Sequence, residues 1–149
     1  MRSHRANLIC FLVVTIFDAN GARAADPDVC IALPIATVNE VVHQTLAGVR
    51  ADVSQEAHSF GCAYGNGGLV SVNVIRPGGA AAFTRTSSRY PNAVTVPGLG
   101  DKAVYDKRIG TIALFGDVVI DAFVPRGTMS DTQVLAAEKS LILALRNKL

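Results

Sequence analysis

GTIALFGDVVIDAFV, residues 110–124, is the stretch whose reading decides the fold. Two runs rich in β-branched and aromatic residues flank Gly116-Asp117, a pair suited to a two-residue type II′ turn with glycine first. That turn sets the register. Phe115 faces Val118, Ala113 faces Ile120 and Thr111 faces Ala122. The other face pairs Leu114 with Val119, Ile112 with Asp121 and Gly110 with Phe123. Both faces are largely apolar, so the hairpin belongs at the centre of a sheet or under cover on both sides. Asp121 is the exception, and it requires either water or a buried partner, because an unpaired buried carboxylate costs several kcal/mol.

Upstream, residues 69–75 alternate Val70, Val72 and Val74 with Ser71 and Asn73, a strand with one buried and one wet face. Asn66-Gly67-Gly68 turns it back onto a strand over 60–64, and a short strand is expected over 49–53. Further short strands are expected over 93–96 and 102–105, joined by the turn Pro97-Gly98-Leu99-Gly100-Asp101. Three helices complete the pattern. Thr37 and Glu40 fit a capping box opening a helix that carries His43 and ends before Gly48. Residues 80–90 read as a second helix, stopped by Pro91. Ser130 and Gln133 cap a third, with Asp131 favouring the helix dipole and Glu138 read as a rim carboxylate between two apolar rows. Residues 26–34 read as an extended lead-in. The sum is an α+β fold: an antiparallel sheet with two or three helices packed against it as a two-layer sandwich.

The N-terminus sets the compartment. Arg2 and Arg5 precede the apolar run LICFLVVTIF, residues 8–17, and Ala22-Arg23-Ala24 offers a small-x-small cleavage pattern. Residues 1–24 therefore read as a signal peptide, and residues 25–149 as a single periplasmic or secreted domain. Cys10 leaves with the leader, and the residues before it lack the pattern for lipid attachment. Cys30 and Cys62 remain as an even pair in an oxidising compartment, which reads as a disulfide. The leader also holds three of the 14 basic residues and one of the 12 acidic ones, so 11 of each remain. A balanced domain has no global field for nucleic acid or anionic lipid, and no later stretch is long and apolar enough to span a membrane.

Catalytic and metal patterns are sparse. There is no Gly-x-Ser-x-Gly elbow, no HExxH and no CxxC, so no metal or other cofactor is expected. Gly98-Leu99-Gly100 precedes a strand rather than a helix, which favours a turn over a phosphate cradle. His43 and His58 read as ordinary surface histidines. Arg76, Arg85 and Arg89 offer at most a weak anion patch. Lys102, Lys107 and Arg108 with Asp101 and Asp106 surround Tyr105, and a tyrosine beside an arginine is the composition of an interaction hot spot.

The set Cys30, Ala32-Leu33, the helix start at 37–40, Cys62-Ala63-Tyr64, Gly98-Leu99-Gly100-Asp101-Lys102-Ala103 and the 110–124 hairpin resembles a group of small exported bacterial proteins of unknown function, often lipoproteins. In that group a Cys near the mature N-terminus and a Cys-x-Tyr strand bracket the first helix, and a Gly-Leu-Gly-Asp-x-Ala turn leads into paired strands. This chain departs from the group in lacking a lipobox. The resemblance implies a secreted α+β domain, supports the Cys30–Cys62 bond and carries over no catalytic residues. The expected function is a non-catalytic binding module of the cell envelope. Its surface would hold Tyr105, Arg108, Leu114, Val119, Asp121 and Phe123, and its partner would be a protein, a small apolar ligand or a second copy of the chain. Two rival expectations are a small envelope hydrolase using dispersed Ser, His and Asp residues, and a structural envelope component.

Overall fold

The computed structural model describes residues 26–149; the expected signal peptide, the expected cleavage site and Cys10 lie outside them. One seven-stranded antiparallel sheet runs through the domain in the order β1-β2-β3-β7-β6-β5-β4. It is built from two meanders, β1 (Val49–Ser54), β2 (Ser59–Tyr64) and β3 (Val70–Ile75), then β4 (Val94–Thr95), β5 (Lys102–Asp106), β6 (Gly110–Phe115) and β7 (Val118–Phe123). β7 returns to pair with β3, which welds the meanders at the middle of the sheet. The β6–β7 register is the one the Gly116-Asp117 turn demands, from Phe115 opposite Val118 to Thr111 opposite Ala122. Gly116 has a φ of 63°, which a side chain would oppose.

Among the described residues four helices accompany the sheet: α1 (Val29–Ala32), α2 (Ile35–Val42), α3 (Gly79–Arg89) and α4 (Asp131–Arg146). The main core joins α1, α2 and α4 to one sheet face through Phe60, Cys62, Tyr64, Val72, Val74, Ala113 and Ile120. Alternation along the strands sends Ile112, Leu114 and Val119 to the opposite face, where Phe83 of α3 covers them. The helices therefore do not share one face, as a two-layer sandwich would require. An apolar stripe on both sides of the β6–β7 hairpin needs a helix on each.

Two helix boundaries differ from the sequence reading, for local reasons. Residues 26–34 are not all extended: Asp28 caps a short turn of helix, accepting from the Ile31 N–H at 3.0 Å. α2 then starts directly after Pro34, whose carbonyl takes the Thr37 and Val38 amides, so the Thr37–Glu40 capping box does not form. α2 also stops early. Asn39 accepts from the Leu46 N–H at 2.9 Å, and His43 adopts the left-handed conformation with φ 53°. A side-chain partner for the chain four residues beyond the helix competes with another helical turn.

Cys30 and Cys62 form a disulfide joining α1 to β2. Tyr64, two residues on, is fully buried and donates its hydroxyl to the Leu33 carbonyl at 2.6 Å. These two links hold the N-terminal segment to the core face. The bond closes a separation of 32 residues, worth about 3–4 kcal/mol by loss of chain entropy in the unfolded state. The double variant Cys30→Ser, Cys62→Ser is expected to lose about that much in denaturant unfolding, with an unchanged far-UV spectrum. An unchanged midpoint would show that the packing of α1, not the bond, holds this segment.

Candidate functional site

At the β4–β5 side of the sheet a cavity of about 160 Å³ is lined by Tyr105, Lys107, Phe123, Arg126, Val134 and Glu138, among others. It shares Tyr105, Lys107 and Asp131 with an outer depression of about 390 Å³ bordered by Asn92, Val94, Asp106 and Arg108. Tyr105 thus stands between an inner chamber and an outer bowl. It gets there by register: Tyr105 pairs with Thr111, which points to the core face beneath α4. The N-terminus of α4 supplies the opposite wall, with Ser130 and Gln133 forming the expected capping box.

Glu138 is the chemical surprise of the cavity. It is fully buried, not on the rim. Its Oε2 accepts from the Thr111 hydroxyl at 2.7 Å and its Oε1 from the Val124 N–H at 2.9 Å. Burial outweighs these donors and lifts the carboxyl from its ordinary 4.5 to about 7. Tyr105 is pushed above its usual range too, first by burial and then by the negative charges of Glu138 and Asp131. At the mouth Arg126 meets Asp131 at 3.3 Å, an exposed pair of little energetic weight.

The residues singled out from the sequence divide into three sets. Tyr105, Arg108 and Phe123 all border the cavity system. Arg108 is heavily engaged, however. It donates twice to Asp106, from Nε to Oδ1 at 2.9 Å and from a terminal nitrogen to Oδ2 at 2.8 Å, and it lies 4.9 Å over the Tyr90 ring. Its guanidinium holds the Asp106 carboxyl down to about 2. Leu114 and Val119 are buried beneath Phe83 of α3, so they offer no ligand surface. Asp121, in the middle of the sheet, accepts from the Asn73 side-chain amide at 2.8 Å directly across β3 and β7. Partial burial raises its carboxyl to about 6. The dilemma posed by its position resolves as a partner rather than as open water.

Lys107 belongs to the charged patch expected around Tyr105, whereas Arg126 and Glu138 were not among the residues expected at a site. Glu138 carried the only legible signal, a carboxylate inside an apolar stripe. Asp101, in the Gly-Leu-Gly-Asp motif, accepts from the Gly116 N–H at 2.6 Å, so the motif latches the hairpin turn. A larger groove of about 580 Å³ lies between α2 and α4, with His43, Glu40 and Ser140 on its walls. The Ser140 hydroxyl donates to the Ala136 carbonyl at 2.9 Å, and no hydrogen bond joins it to His43 among the described residues. The described residues also hold no group of three or more His, Cys, Asp or Glu able to bind a metal, and no helix among them is long and apolar enough to cross a membrane. No family model, curated protein or solved structure matches the chain.

The raised carboxyl of Glu138 has a signed effect on stability. The folded state keeps this proton to higher pH than the unfolded state, so its contribution is full below about 4.5 and is lost as pH rises through about 7. The loss is on the order of 3 kcal/mol, and Asp121 adds to it in the same direction. The melting temperature should therefore fall between pH 5 and pH 8. Glu138→Gln, which keeps one acceptor for Val124 and one donor for Thr111, should flatten most of that slope. Glu138→Ala should cost roughly 2–4 kcal/mol at every pH by orphaning both partners. A wild-type melting curve independent of pH would contradict the assignment.

Proposed function

We propose that this chain is an exported, non-catalytic binding module of the cell envelope, and that its ligand site is the two-part cavity at Tyr105. The observation that carries the reading is the position of Tyr105 between a partly enclosed chamber and a more open bowl. A cavity of this kind accepts a ligand with one apolar end and one polar end. The inner chamber, beside Phe123 and Val134, has the volume of a single benzene-sized ring. The bowl meets the polar end with Lys107, Asn92 and Asp131. Glu138 lines the chamber but spends both carboxyl oxygens on the protein, which suits a structural rather than a chemical role.

Export is supported by the basic, apolar and small-x-small order of residues 1–24 and by the Cys30–Cys62 disulfide, since such bonds persist in oxidising compartments.

Two-dimensional amide NMR of the isotope-labelled mature protein, titrated with benzoate and with phenol, tests the site. Shifts are expected to cluster at residues 105–107, 123–126 and 131–138. Val134→Phe, which fills the inner chamber, and Tyr105→Ala should each weaken binding at least tenfold while the rest of the spectrum stays folded. Shifts confined to the α2–α4 groove, or equal binding by both variants, would move the site elsewhere.

A further inference from the structure

β1, at the sheet edge opposite β4, is an open edge of unusual composition. Among the described residues it pairs only with β2, without a bulge over all six residues, and every one of those residues is exposed. Natural edges of this length are commonly blunted by proline, a bulge or charged side chains. VRADVS has neither proline nor bulge, and its two charges, Arg50 and Asp52, are of opposite sign and can complement each other across a two-fold pairing. We propose that β1 is the interface for a second copy of this chain, pairing antiparallel about Ala51 so that two sheets join into one.

The hydrogen-bonding parity follows from one contact. The Gly65 N–H donates to the Gly48 carbonyl at 2.9 Å, which makes that opposed pair a hydrogen-bonded one. Alternation along an antiparallel ladder then turns the backbones of Arg50, Asp52 and Ser54 toward β2. The N–H and C=O groups of Val49, Ala51 and Val53 point outward, unclaimed by β2. A two-fold axis at Ala51 sets Ala51 against itself and Val49 against Val53 of the second copy. The outward groups of these three residues then close six backbone hydrogen bonds.

The side chains choose the same register. With the axis at Ala51, Arg50 stands across from Asp52 of the second copy, twice, in the closer non-hydrogen-bonded pairs. An axis at Arg50 or at Asp52 would instead oppose like charges. Shifting by one residue would set an outward backbone against an inward one and reverse the faces. On the face shared with Tyr64, Cys62 and Phe60, Val49 and Val53 are each about half exposed, and α1, which packs on β1, presents Ile31 at 76% exposure. Pairing would cover Val49 and Val53. A six-residue seam is small, so the association is weak and depends on concentration. It lies at the far edge from the Tyr105 cavity and stands independently of the ligand reading.

Sedimentation velocity of the mature, disulfide-bonded protein across a concentration series tests it. A monomer–dimer equilibrium is expected. Arg50→Asp and Asp52→Arg, both at exposed positions, should each weaken self-association at least tenfold by opposing like charges. An equimolar mixture of the two variants should recover it, because each then meets its complement. Ala51→Pro, which removes an outward N–H without touching the β2 ladder, should also weaken it. A wild type that stays monomeric at millimolar concentration overturns the proposal, and so does a dimer indifferent to these variants. A monomer whose β1 amides respond only to a foreign extended peptide overturns it in favour of another partner.

Discussion

The carboxyl of Glu138 fixes the position of α4 on the sheet. By accepting from Thr111 on β6 and from the Val124 amide just past β7, it ties one helix to both strands of the central hairpin. Apolar packing around it, from Val134, Leu141 and Ile142, would hold the helix against the sheet but would leave its sliding and rotation loosely set. Two short hydrogen bonds from opposite strands remove that freedom. The cavity at Tyr105 inherits its shape from this, because its walls are β5 on one side and the start of α4 on the other.

Both faces of the β6–β7 hairpin are occupied, and this organises the rest of the chain. One face receives α1, α2 and α4; the other receives α3 through Phe83. The meanders must then meet edge to edge, β3 against β7, since neither face is open to stacking. The polar pair Asn73–Asp121 sits at that weld. The two outermost strands inherit different fates. β4 is two residues long and sits beside the cavity, whereas β1 is long, regular and exposed.

Period-two alternation made the strands readable. The valines of β3 and the Gly-Asp turn between β6 and β7 fixed pairing and register down to the opposed residues, because a one-residue slip would have exposed the core face. The Ser130–Gln133 box marked the start of α4 correctly, since both partners lie within one turn. What escaped was non-local. Nothing near Thr37 revealed that Pro34 would start α2 earlier, and nothing near Asn39 revealed its bond to Leu46. Of the candidate surface, Tyr105 and Phe123 were legible because a tyrosine in a charged strand and a phenylalanine at a strand end both border open space. Leu114 and Val119 misled because a face that looks unpartnered in sequence can be covered by a helix thirty residues away. Glu138 misled in the opposite sense, because its partners come from two strands that local spacing does not bring near it.

Asp117 gives the central turn a second duty. Its carboxylate takes the Gly78 and Ala80 amides, and its carbonyl takes Gly79, so the first turn of α3 is capped from a different element. Exposed two-residue hairpin tips are ordinarily the places that accept grafted epitopes, inserted domains or new chain termini. Here such surgery would uncap a helix on the far side of the sheet and strip the cover from Leu114 and Val119. The tip between β1 and β2 is tied outside its own hairpin at His58, whose carbonyl accepts from the Arg76 N–H at 3.1 Å, so residues 55–57 are the better place to cut or to splice.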